Sequence, residues 1–412
     1  MSRSAVSPLM PDGRLLFVTR FVRLFSYGML AVVLVLYLTS IGLSESQTGL
    51  LLTLTLAGDT AVSLVLTTQA DRIGRRRMLI AGAMLMAAAG LVFAWTNHFL
   101  LLVVAGTIGV ISPSGNEVGP FLPIEQAALS QIVSTESRTS VFAWYTLTGA
   151  FATAAGSLFG GLLADSLQKS ASTAVESQRV ILIVYASLGL VLAVLFTGLS
   201  AGAEARRNAS SSEKMTRLLG IGRSRGVVLR LSGLFALDAF GGGFVVQSFA
   251  AYWFHLRFGV NPAALGGIFF GANLLAGISA LLASRLASRI GLVKTMVFTH
   301  LPSNILLILV PLMPNLRLAI AVLLVRFSIS QMDVPTRQSY TMAVVAPEER
   351  SAAAGITGVA RTTGAAIAPL FAGMLFARPA LINYPFYIAG VLKIVYDLVL
   401  YRAFVEHRPP ED

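Results

Sequence analysis

Twelve apolar segments follow one another along this chain of 412 residues, and each is about long enough to cross a lipid bilayer as a helix. Hydrophobic residues make up 55% of the sequence and charged residues only 12%, against roughly 25% charged in soluble domains. We therefore predict an all-α membrane protein with twelve transmembrane helices. These segments, numbered as spans one to twelve, lie near residues 15–41, 46–69, 78–96, 99–133, 137–165, 179–200, 228–256, 262–286, 293–313, 316–345, 350–377 and 382–404.

The basic residues, which give the chain a net charge of +12, are distributed unevenly between the loops. With the N-terminus placed inside, most Lys and Arg residues fall on the inner side, and Arg14, Arg20 and Arg23 are counted among them. This bias follows the positive-inside rule and predicts two cytoplasmic termini. A nucleic-acid partner would need one contiguous basic surface, so we expect none. We expect a monomer in the bilayer of the bacterial inner (plasma) membrane.

A short basic loop occurs in both halves of the chain. Asp71-Arg72-Ile73-Gly74-Arg75-Arg76-Arg77 separates spans two and three, and a weaker copy, Ser288-Arg289-Ile290-Gly291-Leu292-Val293-Lys294, separates spans eight and nine. A second similarity relates Pro123-Ile124-Glu125-Gln126-Ala127 to Pro335-Thr336-Arg337-Gln338-Ser339. Such repeats indicate a duplication. The predicted parts are two pseudo-symmetric six-helix bundles at 1–200 and 228–412, joined by a cytoplasmic linker at 201–227.

This plan resembles the major facilitator superfamily of transporters, which are built from two parallel halves. The family's loop between spans two and three has a Gly-x-Leu-Ala-Asp-Arg-x-Gly-Arg-Arg pattern. Residues 67–77 keep the Asp-Arg-x-Gly-Arg-Arg core, while Thr67 and Gln69 replace the usual Gly and Leu. The resemblance implies the major facilitator fold and transport by alternating access.

The basic loop is predicted to act in gating. Gly74 permits a tight turn with a positive φ, and Asp71 can approach the positive N-terminus of another helix. The resemblance implies that this helix is span eleven, which begins near Pro347-Glu348-Glu349-Arg350. A topology anchor made only of arginines is the alternative, and we favour a latch that also anchors. The gating residues are then Asp71, Arg72, Gly74, Arg75, Arg76, Arg77, Arg289 and Gly291.

Span five carries a run of glycines that has two interpretations. Gly156-Ser157-Leu158-Phe159-Gly160-Gly161 is similar to the Gly-Pro-x-x-Gly-Gly motif of proton-driven antiporters, with Ser157 in place of proline. The similarity favours export. Small residues at this spacing also let helices pack closely, and packing alone explains the pattern about as well. The helix-packing residues are Gly149, Gly156, Gly160 and Gly161.

Ionisable side chains within the spans are the candidates for solute and proton binding. Each costs roughly 2.5–3.5 kcal/mol at the bilayer centre, so they must face a wet cavity or one another. These residues are Asp59, Glu117, Glu125, Asp238, Arg326, Asp333, Arg337, Arg361, Lys393 and Asp397. Side chains suited to a cavity wall are Tyr27, Tyr37, Trp144, Tyr145, Phe240, Gln247, Tyr252 and Asn273.

Span four is interrupted by three prolines and two glycines between Ser112 and Pro123. A break frees backbone groups, which are tolerated only when they are buried in protein or line a water-filled cavity. Such discontinuities mark binding sites in many transporters, so Asn116 and Glu117 become leading cavity residues. A proline kink that serves only packing is the alternative.

Asp59 and Asp238 are candidate proton carriers, because a carboxylate removed from water takes up and releases protons. Either could instead be a buried partner of Arg361 or Lys393. Arg361 itself could hold an anionic solute.

Enzymatic sites are not evident in the sequence. It contains no cysteine and four histidines without metal-binding spacing, and it has no phosphate-binding loop. We expect no cofactor and no metal. The favoured function is a secondary active transporter that exports a small organic solute in exchange for protons. The alternative is an importer or uniporter of a nutrient or organic anion, and a membrane enzyme or receptor is disfavoured.

Overall fold

The computed structural model describes residues 11–170, 172–204, 224–346 and 349–405. Within these ranges the chain is helical and contains no strand. Most of the predicted linker at 201–227, and Pro347-Glu348 ahead of span eleven, lie outside the described residues. The helices are α1 Pro11–Ser40, α2 Glu45–Ile73, α3 Arg75–Trp95, α4 Phe99–Ile108, α5 Phe121–Ile132, α6 Thr135–Lys169, α7 Ala174–Thr197, α8 Arg225–Gly243, α9 Gln247–Phe258, α10 Pro262–Ile290, α11 Leu292–Leu309, α12 Leu316–Phe327, α13 Asp333–Ala343, α14 Arg350–Phe376 and α15 Tyr384–Phe404.

The helices match the predicted spans. Among the described residues, 9 helical segments are long and apolar enough to cross a membrane. The other three predicted spans are span four, formed by α4 and α5, span ten, formed by α12 and α13, and span twelve, formed by α15 with Lys393 and Asp397 in its sequence. The predicted all-α membrane fold is confirmed, and spans four, ten and twelve complete the predicted twelve.

Three spans are interrupted near their middle. Span four is irregular from 109 to 120, where Gly115 and Gly119 have φ values of 70° and 77°. Span seven breaks between α8 and α9 after Gly241-Gly242-Gly243. Span ten breaks between α12 and α13, and Pro335, which lacks a backbone N–H, is tolerated in the first turn of α13. The breaks place non-helical backbone deep inside the predicted membrane region.

The first compact unit comprises the described residues of Met1–Ala205 together with Val246–Leu274. Helix α1 lies at its centre and packs closely on α6, because glycines face backbone across that contact. A Cβ added to Gly156 would lie 1.9 Å from the carbonyl oxygen of Phe25, and one added to Gly28 would lie 2.1 Å from that of Thr153. Only glycine allows two helix backbones to approach this closely.

The second compact unit comprises the described residues of Arg206–Val245 and Leu275–Asp412. Helix α8 packs on α14 in the same manner, since a Cβ on Gly364 would lie 2.3 Å from the carbonyl oxygen of Ala236. The contacts group α9 and the start of α10 with the first unit, whereas the sequence-based division into bundles at 1–200 and 228–412 stays a prediction. The buried core of this unit includes Val228, Leu231, Phe235, Met296, Tyr340, Ala353, Tyr396 and Leu400.

Candidate functional site

A buried group of charges, here called the N-terminal charge cluster, consists of Arg20, Arg23, Glu117 and Glu125. Arg23 binds Glu125 through Nη1, 2.8 Å from Oε1, and binds Glu117 through Nη2, 3.0 Å from Oε2. Arg20 Nη1 lies 2.5 Å from Glu117 Oε1. Two guanidinium groups on α1 therefore balance two carboxylates of span four.

Glu125 is fully buried, and each of its oxygens has a partner. The hydroxyl of Thr19 donates to Oε1 at 3.1 Å, and the hydroxyl of Tyr145 on α6 donates to Oε2 at 2.5 Å. Full pairing is what a carboxylate needs in an apolar interior. Glu117 differs, because 20% of its side chain is exposed beside the break in span four.

Arg20 and Arg23 correct the sequence interpretation, which counted them with the positive charges of the inner side. Their exposed fractions are 5% and 0%, so they are interior side chains rather than loop charges. The physical reason is their pairing with Glu117 and Glu125, which the sequence does not reveal. Arg14, one helix turn or more away on α1, is exposed.

The break in span four is held by polar side chains from neighbouring helices. The backbone N–H of Gly119 donates to Asp59 Oδ1 of α2 at 2.6 Å, and Ser63 Oγ donates to the Gly119 carbonyl at 2.9 Å. The hydroxyl of Tyr27 donates to the Val118 carbonyl at 3.3 Å. Backbone groups freed by the break thus bind protein, as non-helical backbone inside a membrane requires.

The other side of the break is bound by α6 and α9. Ser248, at the start of α9, donates its backbone N–H to the Pro113 carbonyl at 3.0 Å, and its hydroxyl donates to the same oxygen. Thr153 Oγ1 donates to the Gly115 carbonyl at 3.2 Å. Asn116 has an exposed side chain at the centre of this segment.

A polar group formed by Ser157, Gln247 and Asn273 lies next to the break. Gln247 Nε2 donates to Ser157 Oγ at 3.2 Å, and Asn273 Nδ2 donates to Gln247 Oε1 at 3.0 Å. Ser157 in turn donates to the Gly28 carbonyl at 3.2 Å. The serine that replaces the motif's proline therefore joins α6 to α1, α9 and α10.

Asp59 differs from the other acidic groups of the first unit. It is buried, with an exposed fraction of 9%, and its carboxylate accepts a backbone hydrogen bond from Gly119. Within the described ranges, no Lys, Arg or His lies within ion-pair distance of it. Asp59 is thus a buried acid to which the described residues offer no basic partner.

A second buried group, here called the C-terminal charge cluster, surrounds Asp238 on α8. Lys393 Nζ of α15 lies 2.6 Å from Asp238 Oδ1, and Arg337 Nη1 of α13 lies 3.2 Å from Oδ2. The same Arg337 nitrogen lies 3.0 Å from Asp333 Oδ2. Of the two roles that the sequence allows for Asp238, the structure favours the buried partner of Lys393.

His300 of α11 links Asp238 to Asp397. Its Nδ1 lies 2.8 Å from Asp397 Oδ1, and its Nε2 lies 3.6 Å from Asp238 Oδ1. Asn304 Nδ2, one turn further along α11, donates to Asp397 Oδ2 at 2.9 Å. His300 and Asn304 are not among the candidates predicted from the sequence. Their spacing of four residues, which places both on one helix face, is the signal that could have found them.

Arg361 and Arg326 are half-buried cations within helices of the second unit, and the described acids do not bind them. Neither forms an ion pair or a side-chain hydrogen bond with any residue in the described part of the chain. Arg361 lies near the middle of α14, and Arg326 lies in the last turn of α12. Both are half-buried, and both lie within electrostatic range of Asp238 and Asp333.

The basic loop is fixed by the segment that follows span six. Gly74 has a φ of 122°, the positive value expected of the turn. Glu204 accepts hydrogen bonds from the backbone N–H groups of Arg75, at 2.7 Å, and Arg76, at 3.2 Å, and thereby caps α3. Asp71 is 67% exposed and pairs with Arg75 at 2.9 Å. The latch with span eleven stays a prediction.

The remaining arginines of the two basic loops are all exposed. They are Arg72, Arg76, Arg77 and Arg289. Gly291, the counterpart of Gly74, has a φ of 87°, and no side chain among the described residues accepts a hydrogen bond from the first N–H groups of α11.

The glycines of span five lie against backbone and charge. A Cβ on Gly160 would lie 2.6 Å from the Met29 carbonyl oxygen, and one on Gly161 would lie 2.3 Å from that of Pro262. A Cβ on Gly149 would lie 2.8 Å from Arg20 Nε. Close packing against α1 and the start of α10 accounts for each glycine, and Gly149 makes room for the N-terminal charge cluster.

No group of His, Asp and Glu side chains suited to a metal ion occurs in the part of the chain that the structure describes. An apolar groove of about 420 Å³ in the second unit is lined by Phe240, Phe244, Phe371 and Met374, and Arg378 also contributes to the lining.

Comparison with known proteins places these features in a family. The sequence profile of the Major Facilitator Superfamily matches residues 16–331 and 253–412. A relative in Saccharomyces cerevisiae, an uncharacterized membrane protein designated YJR124C, is 31% identical over 423 residues, which cover 96% of this chain and 94% of the relative.

Solved transporter structures share the fold. A bacterial homolog of the human lysosomal transporter Spinster, inward-facing and unoccupied, has a TM-score of 0.74 at 16% identity and covers 99% of both chains. A D-xylose-proton symporter has a TM-score of 0.71 at 15% identity, with coverage of 95% and 97%. The nucleoside transporter NupG has a TM-score of 0.69 at 12% identity, with coverage of 97% and 100%. At these identities the likeness concerns the fold alone. With its profile match and its yeast relative, this chain belongs to the Major Facilitator Superfamily, as a multi-pass membrane transporter and not an enzyme.

Proposed function

We propose that this protein exports a small organic solute in exchange for protons, and that Asp59 carries the proton. Membership of the family gives a transporter that works by alternating access between two halves. Coupling to protons, the direction of transport and the carrier residue are the parts that we add. The observation that carries the proposal is the buried carboxylate of Asp59, which has no basic partner among the described residues.

Asp59 suits proton transfer because protonation removes a charge that the site does not neutralise. A charged side chain in the membrane interior costs several kcal/mol unless it is paired or hydrated. The hydrogen bond from the Gly119 N–H holds the carboxylate at the break in span four. A proton on Asp59 would weaken the hydrogen bond that its carboxylate accepts from Gly119. Proton binding would therefore act directly on the non-helical backbone of span four.

The other buried acids suit this role less well. Glu125 is bound by Arg23, and Asp238 is bound by Lys393 and Arg337. Neutralising Asp238 would leave Lys393 without an acid among the described residues, and neutralising Glu125 would leave Arg23 with Glu117 alone. Glu117 is paired with two arginines but is partly exposed. We therefore assign Glu117 and Asn116 to the wall of the solute cavity and Asp59 to the proton.

Export rests on the glycine motif of span five, and close packing explains the same glycines. The alternative is import of a nutrient or organic anion. The guanidinium groups of Arg361 and Arg326, which have no acidic partner among the described residues, suit an anionic solute in either direction of transport. Both directions use the same carrier residue. The sign of proton movement distinguishes them.

The test uses proteoliposomes loaded with a pH-sensitive dye and solutes that stabilise the purified protein. In exchange, solute entering the vesicle drives protons out, so the lumen becomes alkaline; in symport the lumen becomes acidic. We expect an alkaline change that Asp59→Asn abolishes and that Asp165→Asn, an acid paired with Lys169 near the end of α6, leaves intact. Acidification of the lumen would contradict proton exchange and indicate import coupled to protons. Solute movement without any proton flux would exclude coupling.

We also propose that both termini are cytoplasmic, that the protein works as a monomer, and that Asp71 latches onto span eleven. The exposed arginines of the basic loop support this orientation through the positive-inside rule. Labelling of single cysteines placed at Arg77 and Arg289, in a chain that has no cysteine of its own, tests the orientation. Modification from the outer side of intact cells would contradict it.

A further inference from the structure

We propose that Arg361, with Arg326 adding positive potential, binds the carboxylate of an organic anion and that the transported solute belongs to this class. The inference rests on the proposed function, because it names the solute that the proton drives. It concerns the second compact unit alone.

Arg361 has no acidic partner among the described residues. Arg361 is near the middle of the 27-residue helix α14, about 16 Å along the axis from Arg350. An arginine near a helix end can extend its head group to the membrane surface, but one at mid-membrane is too far away. An ionised guanidinium at this depth needs an anion or water. The described residues supply no anion in contact with it.

The charges around Arg361 are unequal in number. The acids of the C-terminal charge cluster are already bound, since Asp238 and Asp333 contact Arg337 and Asp397 contacts His300. Among the described residues, four permanent cations accompany three carboxylates in this region. The cations are Arg326, Arg337, Arg361 and Lys393, and the acids are Asp238, Asp333 and Asp397. An anion would neutralise the excess.

Arg361 and Arg326 are more accessible to a ligand than the cations that are paired. Arg361 and Arg326 are half-buried, whereas Arg337 and Lys393 are buried with exposed fractions of 5% and 7%. The cations that lack acids are therefore the ones that retain surface for a ligand. Arg326 also packs its guanidinium 4.9 Å from the ring centre of Phe327, which holds it beside the break in span ten.

The chemistry of the ligand follows from the guanidinium group. Its planar fork of donors matches a carboxylate with two parallel hydrogen bonds, a geometry that a lysine ammonium cannot reproduce. A neutral solute would leave the cation unpaired. We therefore assign a carboxylate in preference to a sugar or a nucleoside.

The test measures the melting temperature of the purified full-length protein with three acid–amide pairs. The probes are benzoate, lactate and succinate, each compared with benzamide, lactamide or succinamide. We expect at least one carboxylate to raise the melting temperature by about 2 °C or more at saturation, while its amide does not. The inference is overturned if no carboxylate stabilises the protein more than its amide.

Variants locate the site. Arg361→Gln should weaken the apparent affinity for the stabilising carboxylate at least tenfold, and Arg326→Gln should weaken it less. Arg361→Lys, which keeps the charge but loses the fork, covers the case in which the glutamine variant does not fold, and it should also bind more weakly. Arg378→Gln, which removes an exposed arginine just beyond the end of α14, should bind as the unmodified protein does.

The outcomes separate this inference from the proposed function. Unchanged carboxylate binding in Arg361→Gln or Arg361→Lys contradicts the site. Proton-coupled transport of a neutral solute that still requires Asp59 would overturn the anion site and leave the proposed function standing. Carboxylate binding that requires Arg361, together with solute transport that moves no protons, would overturn the proposed function and leave the anion site standing.

Discussion

The two halves of the chain each bury a charge cluster that joins the first helix of the half to its fourth span, with opposite polarity. In the first half the bases Arg20 and Arg23 lie on the first helix, and the acids Glu117 and Glu125 lie in span four. In the second half the acid Asp238 lies on the first helix, and Arg337 lies in span ten. The positions of Glu125 and Arg337 correspond in the repeat, so duplication kept the place of the charge and not its sign.

The unpaired groups of the halves also differ. Among the described residues, the first unit retains a buried acid without a base, Asp59, and the second retains two half-buried bases without an acid, Arg361 and Arg326. The paired clusters are suited to structural roles, because removing one member leaves an uncompensated buried charge. The unpaired groups are suited to exchange with solution. A proton would neutralise Asp59 in the first half, and a bound anion would neutralise Arg361 in the second half.

The largest expected effect comes from breaking the N-terminal charge cluster. Arg23→Gln should lower the free energy of unfolding by about 4 kcal/mol, because the fully buried Glu125 then loses the only guanidinium that binds it among the described residues. Thermal unfolding in detergent measures the change. Arg14→Gln, an exposed position on the same helix, should change stability by less than about 0.5 kcal/mol. Equal effects of the two variants would contradict the structural role of the cluster.

The C-terminal charge cluster should respond somewhat less, since Arg337 keeps Asp333 as a partner. Asp238→Asn is expected to cost about 3 kcal/mol, chiefly by leaving Lys393 unpaired. Adding Lys393→Met to that variant should recover a part of the loss, and a double-mutant cycle measures the coupling. Strictly additive losses would show that Asp238 and Lys393 do not act as a pair.

The close helix contacts of the halves should be equivalent. Gly156→Ala and Gly364→Ala are each expected to destabilise by about 1–3 kcal/mol, because the new methyl group would overlap the backbone of α1 or α8. Gly358→Ala, on the same helix as Gly364 but facing open space, is the control. Melting temperatures in parallel preparations check this. A tolerated Gly156→Ala together with a damaging Gly358→Ala would refute the packing assignment.

The smallest expected effect concerns the two basic loops. Glu204→Gln should weaken the N-terminal cap of α3 by about 1 kcal/mol, since a carboxylate binds the N–H groups of Arg75 and Arg76 more strongly than an amide does. Hydrogen exchange of these amides should accelerate. Exchange at the start of α11, where the described residues supply no such cap, should not change. A uniform change in both loops would argue against local capping.

Much of the fold follows from the sequence because apolar segments and turn residues are local signals. The twelve spans, the break in span four and the positive φ at Gly74 are of this kind. The break in span ten was not predicted from the sequence, because residues 328–332 contain neither proline nor glycine. Contacts between distant residues were harder to predict. Arg20 and Arg23 lie close to the N-terminus, and only the folded chain shows that they bind Glu117 and Glu125.

The candidate site could be predicted as a set of residues but not as pairs. Composition alone indicates that Asp59 and Asp238 are unusual inside a membrane, and it treats them alike. The structure separates them, since Lys393 comes from α15 to bind Asp238 and no base reaches Asp59 in the described residues. The residues His300 and Asn304 became significant only through Asp397. Which side chain meets which depends on tertiary packing.

The central claim is that the unpaired acid of the first half carries the proton and the unpaired base of the second half binds the solute. It is tested most directly by comparing two transport modes in proteoliposomes with Asp59→Asn. Exchange of labelled for unlabelled solute at equal pH requires solute binding but no net proton movement, whereas a pH gradient drives net transport only through the proton site. We predict that Asp59→Asn retains exchange and loses gradient-driven transport. Gradient-driven transport at the unmodified rate in Asp59→Asn would contradict the account.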